Sequence, residues 1–162
     1  MIGHFRLLSG SLSTVNYEGL DRMEFAFPGP LRDELVRAVL DGLKVSTTSL
    51  QLEYELEGSP LPVPGKRSVV VDSKDRPVAL IETTRVEIVQ LGDVDVAHAI
   101  DEGEGFESVA DWRTGHEEFW HSDDMRRELN DPAFTVNDTT RVVLERFRVI
   151  KRINDTSLPT AP

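Results

Sequence analysis

A chain of 162 residues, 39% of them hydrophobic and 29% charged, has the make-up of one globular domain with short tails. It carries no cysteine, which excludes disulfides, thiolate-bound zinc and a cysteine nucleophile. Its net charge of −11 argues against the broad basic surface by which proteins track long duplex nucleic acid, and leaves a small ligand or a short single strand as the better-suited partner.

Residues 1–25 read as a lead-in: the first 22 lack strong periodicity and include "SGSLST". The apolar part of "MIGHFRLLSG" is too short for a signal peptide, and no apolar run reaches membrane-spanning length. A cytoplasmic protein without a membrane segment is expected. The domain itself is expected over 26–152, with 153–162, which includes "NDTSLPTAP" and its two prolines, as a flexible tail.

Between those ends, "PGPLRDELVRAVLDG" places Leu31, Leu35, Val36, Val39, Leu40 and Leu43 at helical spacing. Pro30 lies near its start and Gly42 stops it. In "TTSLQLEYELEG" the residues Leu50, Leu52, Tyr54 and Leu56 alternate with polar neighbours, which predicts a half-buried strand. The proline-rich "GSPLPVPG" is a loop, "KRSVVVD" a short strand, "SKDRP" a turn and "VALIETTRVEIVQL" a long strand. "GDVDVAHAI" predicts a short helix capped by Asp93, followed by the acidic loop "DEGEG". "SVADWRTGHEEFWH" opens on a capping pattern at Ser108 and sets Val109, Trp112, His116, Phe119 and Trp120 on one face. An irregular polar connection over "SDDMRRELNDPAFTVNDTT" then leads to a last strand, "RVVLERFRVIKRI". Helices inserted among strands joined by short turns predict an α+β fold built on a small barrel-like sheet.

Three sets of residues invite a chemical reading. "GLKVST" resembles a phosphate loop in composition, but it follows a helix and precedes a strand, the reverse of what phosphate binding at a helix start requires. "HEEFWH" is one residue longer than a zincin motif: His116 and His121 are five apart, about 140° around a helix, so they do not share a metal. Asp123 and Asp124 read as a solvated acidic cap, and no metal or other cofactor is expected. His4 and His98 offer only a titratable ring. Lys44 with Ser46, Thr47, Thr48 and Ser49 reads, by itself, as a helix-end cation beside the first residues of a strand.

The surrounding pattern adds to that reading. Gly42, Lys44 and Thr47 match a G-x-K-x-x-T signature; Gly65, the long strand, the "EGEG" loop before "SVADWR", and "VVLERFRVI" follow in order. Over roughly residues 26–151 the chain resembles the ASCH domain family, in its longer bacterial branch. The resemblance implies a small PUA-like β-barrel of about five to six strands with flanking helices, and a cleft for a nucleobase, nucleoside or short single-stranded RNA. Related small members look like amidohydrolases that deacetylate acetylcytidine with a threonine, a lysine and a glutamate. Carried over, these are Thr47, Lys44 and Glu102, with Thr48 and Glu104 as the neighbouring alternatives for hydroxyl and acid. Thr48, Ser49, Tyr54, Glu104 and Trp112 are the implied ligand contacts, Tyr54 and Trp112 by stacking on a base. Ser49 stands where many members carry a basic residue. A non-catalytic RNA-binding or regulatory module and a ribonuclease are the other activities the family allows, and the oligomeric state is left open.

Overall fold

The computed structural model describes Tyr17 and residues 19–153; most of the lead-in, His4 included, and most of the tail lie outside them. In chain order the elements are β1 (Asp21–Met23), α1 (Pro30–Leu40), β2 (Ser46–Leu50), α2 (Gln51–Glu57), β3 (Arg67–Val71), β4 (Pro77–Gln90), α3 (Val96–Asp101), α4 (Val109–Trp120), α5 (Asp123–Glu128) and β5 (Arg141–Arg152). The strands form one sheet in the order β1-β3-β4-β5-β2, antiparallel throughout except for β1 with β3. It curls into a half-barrel flanked by helices, an α+β, PUA-like architecture. The long β4–β5 pair shifts register at Leu80/Ile81 and again at Thr83/Arg85, and such bulges increase local twist.

α1 forms as its pattern predicts. Pro30 occupies the first turn, where its missing N–H costs nothing, Leu35, Val36 and Val39 are buried, and Gly42 follows at φ 75°. The helix is also locked by charge. Arg32, fully buried, donates Nη1 to Glu24 Oε1 at 3.0 Å and further bonds to the carbonyls of Phe25 and Ala26. That tie holds the segment after β1 against the helix.

Four expectations need correction. The stretch after Leu50 is not a strand: β2 stops there and α2 begins, because Glu53 folds back to accept the Leu50 N–H at 2.7 Å and Gln, Leu and Glu favour a helix. Burial then follows the helix, with Glu53 and Tyr54 inside and Leu56 59% exposed. Residues 21–23, inside the expected lead-in, are a strand paired in parallel with β3. The cap of α3 is Asp95, which accepts the His98 N–H, rather than Asp93. Within the connection read as irregular, Ser122 caps α5. No helix among the described residues is long and apolar enough to cross a membrane.

The sheet has two faces with different contents. On one, Leu50, Val142 and Leu144 pack with Leu91, Trp112, Trp120 and Met125 under α3, α4 and α5. On the other, Val70, Ala79, Ile81 and Phe147 pack with Met23, Phe25 and α1.

Candidate functional site

Lys44 lies where α1 gives way to β2, and the acidic loop is laid directly over it. The N–H groups of Leu43 and Lys44 both donate to the Ala38 carbonyl, and the Val45 N–H donates to Asp101 O at 2.9 Å. Gly103 makes this approach possible. Its φ is +67°, and a Cβ there would stand 2.3 Å from the Leu43 carbonyl carbon. The loop thus delivers Glu102 and Glu104 to one buried ammonium. Lys44 Nζ is 3.5 Å from Glu102 Oε2, 3.1 Å from Glu104 Oε1 and 3.4 Å from the Glu102 carbonyl oxygen, with the Phe25 ring centroid at 5.3 Å.

Glu102 is the hub, and it is completely buried. Its Oε1 accepts from Thr48 Oγ1 at 2.5 Å and from Trp112 Nε1 at 3.1 Å, and lies 3.1 Å from His98 Nε2. Its Oε2 faces His116 Nε2 at 3.3 Å. His98 Nε2 is also 2.8 Å from Thr48 Oγ1, so Thr48, His98 and Glu102 close a triangle in which the hydroxyl proton can point to either neighbour. Trp112 and His116 stack at 4.0 Å between ring centroids, and His116 Nδ1 donates to the Trp112 carbonyl. The predicted aromatic face of α4 is therefore core, and two of its members also hold the carboxylate.

Burial and charge compete across this cluster. Burial lowers the Lys44 pKa from its ordinary value, and the Glu102 carboxylate offsets only part of that effect. Burial alone would raise Glu102, but His116 and Lys44 outweigh it, through charge and through hydrogen bonds from His116 and His98, and hold the carboxyl well below the usual range. His116 is pushed down by burial, again against the pull of Glu102. An anionic hub ringed by donors beside a lysine that gives up its proton readily is an arrangement suited to proton transfer.

Two hollows flank the cluster. One of about 400 Å³ is lined by Leu31, Leu35, Leu43 and Phe106 together with Arg37 and Glu104, and meets Lys44 through Glu104. A smaller one of about 180 Å³ is bordered by Ser46, Arg85, Arg146 and His98, with acids beside them. His98, its side chain 12% exposed, connects this second hollow to Thr48 and Glu102.

Of the residues expected from sequence, Lys44, Glu102, Glu104, Thr48 and Trp112 come together. Thr47 does not join them: adjacent strand residues face opposite ways, and Thr47 is paired across the sheet with Glu145. Ser49 shares that opposite face, and its hydroxyl bonds Tyr54, so Tyr54 is not at the Glu102 cluster either. His98 is the residue that sequence reasoning passed over. The available signal was its i,i+4 spacing to Glu102, which puts both on one side of α3 and its cap. Among the described residues no group of three or more His, Asp or Glu is arranged to hold a metal ion, and His121 instead accepts the Val136 N–H at 3.1 Å.

A curled five-stranded sheet with a buried Lys–Glu pair at the mouth of β2 defines a PUA-like domain with a polar site beneath its acidic loop. The ASCH domain family model matches residues 22–151, and the chain belongs to that family. Two solved structures are similar. The crystal structure of a protein from Enterococcus faecalis V583 is 26% identical, with 82% of this chain and 77% of that one covered at a TM-score of 0.70. An ASCH domain from Lactobacillus crispatus JV V101 is 28% identical, with 82% and 80% covered at a TM-score of 0.69. No curated protein matches the sequence.

Proposed function

We propose that the domain binds a nucleoside, or a short single strand that offers one base, and hydrolyses an acetyl amide on cytidine. The observation that carries this reading is the convergence of a hydroxyl, a carboxylate and a lysine of lowered pKa: Thr48 Oγ1 at 2.5 Å from Glu102, and Lys44 beside the same carboxylate. The larger hollow has the volume and the mainly apolar walls that such a ligand needs, with Phe106 as its aromatic. Entry to the cluster requires Glu104 to swing aside. It stands between Lys44 and that hollow, on an arch whose flanking Gly103 and Gly105 both have positive φ.

In this mechanism Thr48 Oγ1 attacks the acetyl carbonyl, and its proton passes to His98 Nε2, with Glu102 orienting both. The C–N bond breaks, Lys44 supplies the proton that the departing cytosine amine needs, and water then splits the acetyl–threonine ester to acetate. A cytoplasmic location suits such a substrate.

The complete burial of Thr48 and Glu102 favours a second reading, a non-catalytic module that binds a short RNA. Chromatographic quantification of cytidine released from acetylcytidine separates the two. The first reading expects turnover that falls at least about a hundredfold in Lys44→Ala and in Thr48→Val but not in Thr47→Val. No turnover by the parent, together with salt-sensitive retention of a short RNA, would establish the second instead.

A further inference from the structure

His116 belongs to the buried cluster, yet the proposed chemistry gives it no task. It sits on α4 with its ring between those of Trp112 and Trp120, at centroid distances of 4.0 and 5.3 Å, and is closed off from solvent. Nδ1 lies 2.8 Å from the Trp112 carbonyl oxygen, and Nε2 lies 3.3 Å from Glu102 Oε2. A carbonyl oxygen and a carboxylate oxygen can only accept, so each ring nitrogen faces an acceptor. A neutral imidazole carries a single N–H. Whichever tautomer it takes, one nitrogen lone pair then points at an oxygen lone pair where no water reaches. Neither Nε2 nor Oε2 has a hydrogen-bond partner elsewhere among the described residues. The charges lead to the same point. Two carboxylates, Glu102 and Glu104, face the Lys44 ammonium, and their side chains are at most 6% exposed. One lysine leaves that group with a buried negative charge in excess, and a second proton on His116 cancels it.

We propose that His116 is a positioning residue that carries both ring protons at neutral pH, and that this second cation on Glu102 is what lets Lys44 part with its own proton. The shared proton belongs on Nε2 rather than on Oε2. Thr48 and Trp112 donate to Glu102 Oε1, and Lys44 stands 3.5 Å from Oε2, all of which favour the carboxylate. Burial pushes the His116 pKa down, but the contacts to Trp112 and Glu102 are satisfied together only by the doubly protonated ring, and they act the other way. The second proton therefore depends on the carboxylate: with Glu102 neutral, burial would strip it from the ring. Among the described residues Glu102 is the charged group facing the ring, Lys44 and His98 reach the same carboxylate, and Phe106, Trp112 and Trp120 supply the rest of the wall. The consequence falls on Lys44. With His116 charged, a Lys44 that has given up its proton leaves Glu102 still paired. Without His116, Lys44 would be the cation on which Glu102 depends, and the attraction between them would hold the ammonium proton in place. His116 touches no substrate in this scheme. Its part in catalysis rests on the hydrolytic reading, because that reading needs Lys44 to donate to the departing amine; the charge state of the ring does not.

Two measurements on the full chain test this without turnover. Long-range proton–nitrogen correlation spectra at pH 7 read the ring directly, since a neutral imidazole has one nitrogen without hydrogen and an imidazolium has none. Both His116 nitrogens should carry hydrogen; a hydrogen-free nitrogen there overturns the proposal. The Lys44 proton is followed through the side-chain carbon resonances of isotopically labelled lysine as pH is raised. His116→Gln keeps an uncharged donor toward Glu102 but removes the cation, so the Lys44 midpoint should move to higher pH. A backbone amide pattern like that of the parent over β2 and β5 shows that the variant is folded, and a midpoint that stays put or moves down in a folded variant overturns the proposal. If His116→Gln does not fold, the ring spectrum of the parent still decides. In acetylcytidine hydrolysis the alkaline limb of the pH–rate profile should move to higher pH in His116→Gln, because the general acid then keeps its proton longer. A uniform loss of rate at every pH would mark His116 as structural only and overturn the positioning role. A parent that turns over no acetylcytidine, yet shows the doubly protonated ring and the shifted lysine midpoint, would sink the hydrolytic reading and leave the charge assignment standing.

Discussion

Replacing Glu102 by Gln keeps the shape of the hub and removes its charge, which isolates the electrostatic role of the buried pair. In the parent, Lys44 Nζ has two carboxylates within 3.5 Å, and Lys44 and Glu102 are both inaccessible to solvent. Breaking a buried pair by neutralising one partner costs about 3–5 kcal/mol, because the other ion is left without compensation. Glu104, at 3.1 Å, still offsets part of that charge, so the lower end, about 3 kcal/mol, is the expected loss. For a chain of this size that is roughly 6–12 °C in Tm. Urea unfolding at pH 7, followed by circular dichroism, measures it directly. The deficit should shrink as pH rises. A lysine whose folded pKa lies below its unfolded value has released its proton in the native state while the unfolded state still holds one, so stability increases with pH across that window. Combining Glu102→Gln with Lys44→Met should recover at least half of the loss, since no ion then remains to compensate. A loss below about 0.5 kcal/mol in Glu102→Gln, or a double variant no better than the single one, would refute the view that Lys44 is held as a cation by this carboxylate.

Three further outcomes follow from other parts of the fold. Glu53, its pKa pushed up to about 8 chiefly by burial and further by Glu57 and Glu128 against the Leu50 hydrogen bond, holds a proton in the native state that the unfolded chain releases above its ordinary 4.5. Parent stability should therefore fall as pH rises from 4.5 to about 8, by at most roughly 4–5 kcal/mol, and Glu53→Gln should flatten that slope in denaturant midpoints taken across the range. Gly103→Ala must force a Cβ against Leu43 backbone from a positive φ, so a loss above about 1 kcal/mol in thermal unfolding is expected, with weakened amide protection at Val45 by hydrogen exchange. His98→Asn should lower acetylcytidine turnover at least tenfold while changing Tm by less than about 3 °C, because the ring reaches solvent and Glu102 keeps its other donors.

What the sequence shows and hides here follows the range of the interactions involved. α1 was legible because its signals are local: a proline at the start, apolar residues at helical spacing and a glycine at the end. The loop glutamates were found through their order in the family signature, and the structure brings both to Lys44. α2 looks like a strand in sequence because alternating Leu50, Leu52, Tyr54 and Leu56 fits a period of two, and the pattern does not record that Glu53 turns back on Leu50. β1 has three residues and owes its existence to β3, nearly fifty positions away, so nothing nearby announces it. The bond from Thr83 to Glu145 spans 62 positions and is hidden from the sequence for the same reason.

The hydroxyl run Ser46, Thr47, Thr48 and Ser49 is different: strand alternation is a local rule that divides it, whereas the family signature places Thr47, Thr48 and Ser49 at one site. Once 46–50 is a strand, a period of two sends residues 46 and 48 to one face and 47 and 49 to the other. Four hydroxyls in a row cannot then serve one active centre. The structure divides them in that way: Ser46 borders the hollow beside His98 and Thr48 bonds Glu102, while Thr47 opposes Glu145 and Ser49 bonds Tyr54. All four are buried, and an edge strand built of serine and threonine has less apolar area to bury than one built of valine and isoleucine. Replacing Thr47 by Val, which leaves the Ser49–Tyr54 bond in place, should therefore stabilise the fold if the Thr47 side chain is only structural. If acetylcytidine turnover persists in the same variant, the Thr48 face of the run alone serves the cluster around Glu102. Loss of turnover in a folded Thr47→Val variant would contradict that division.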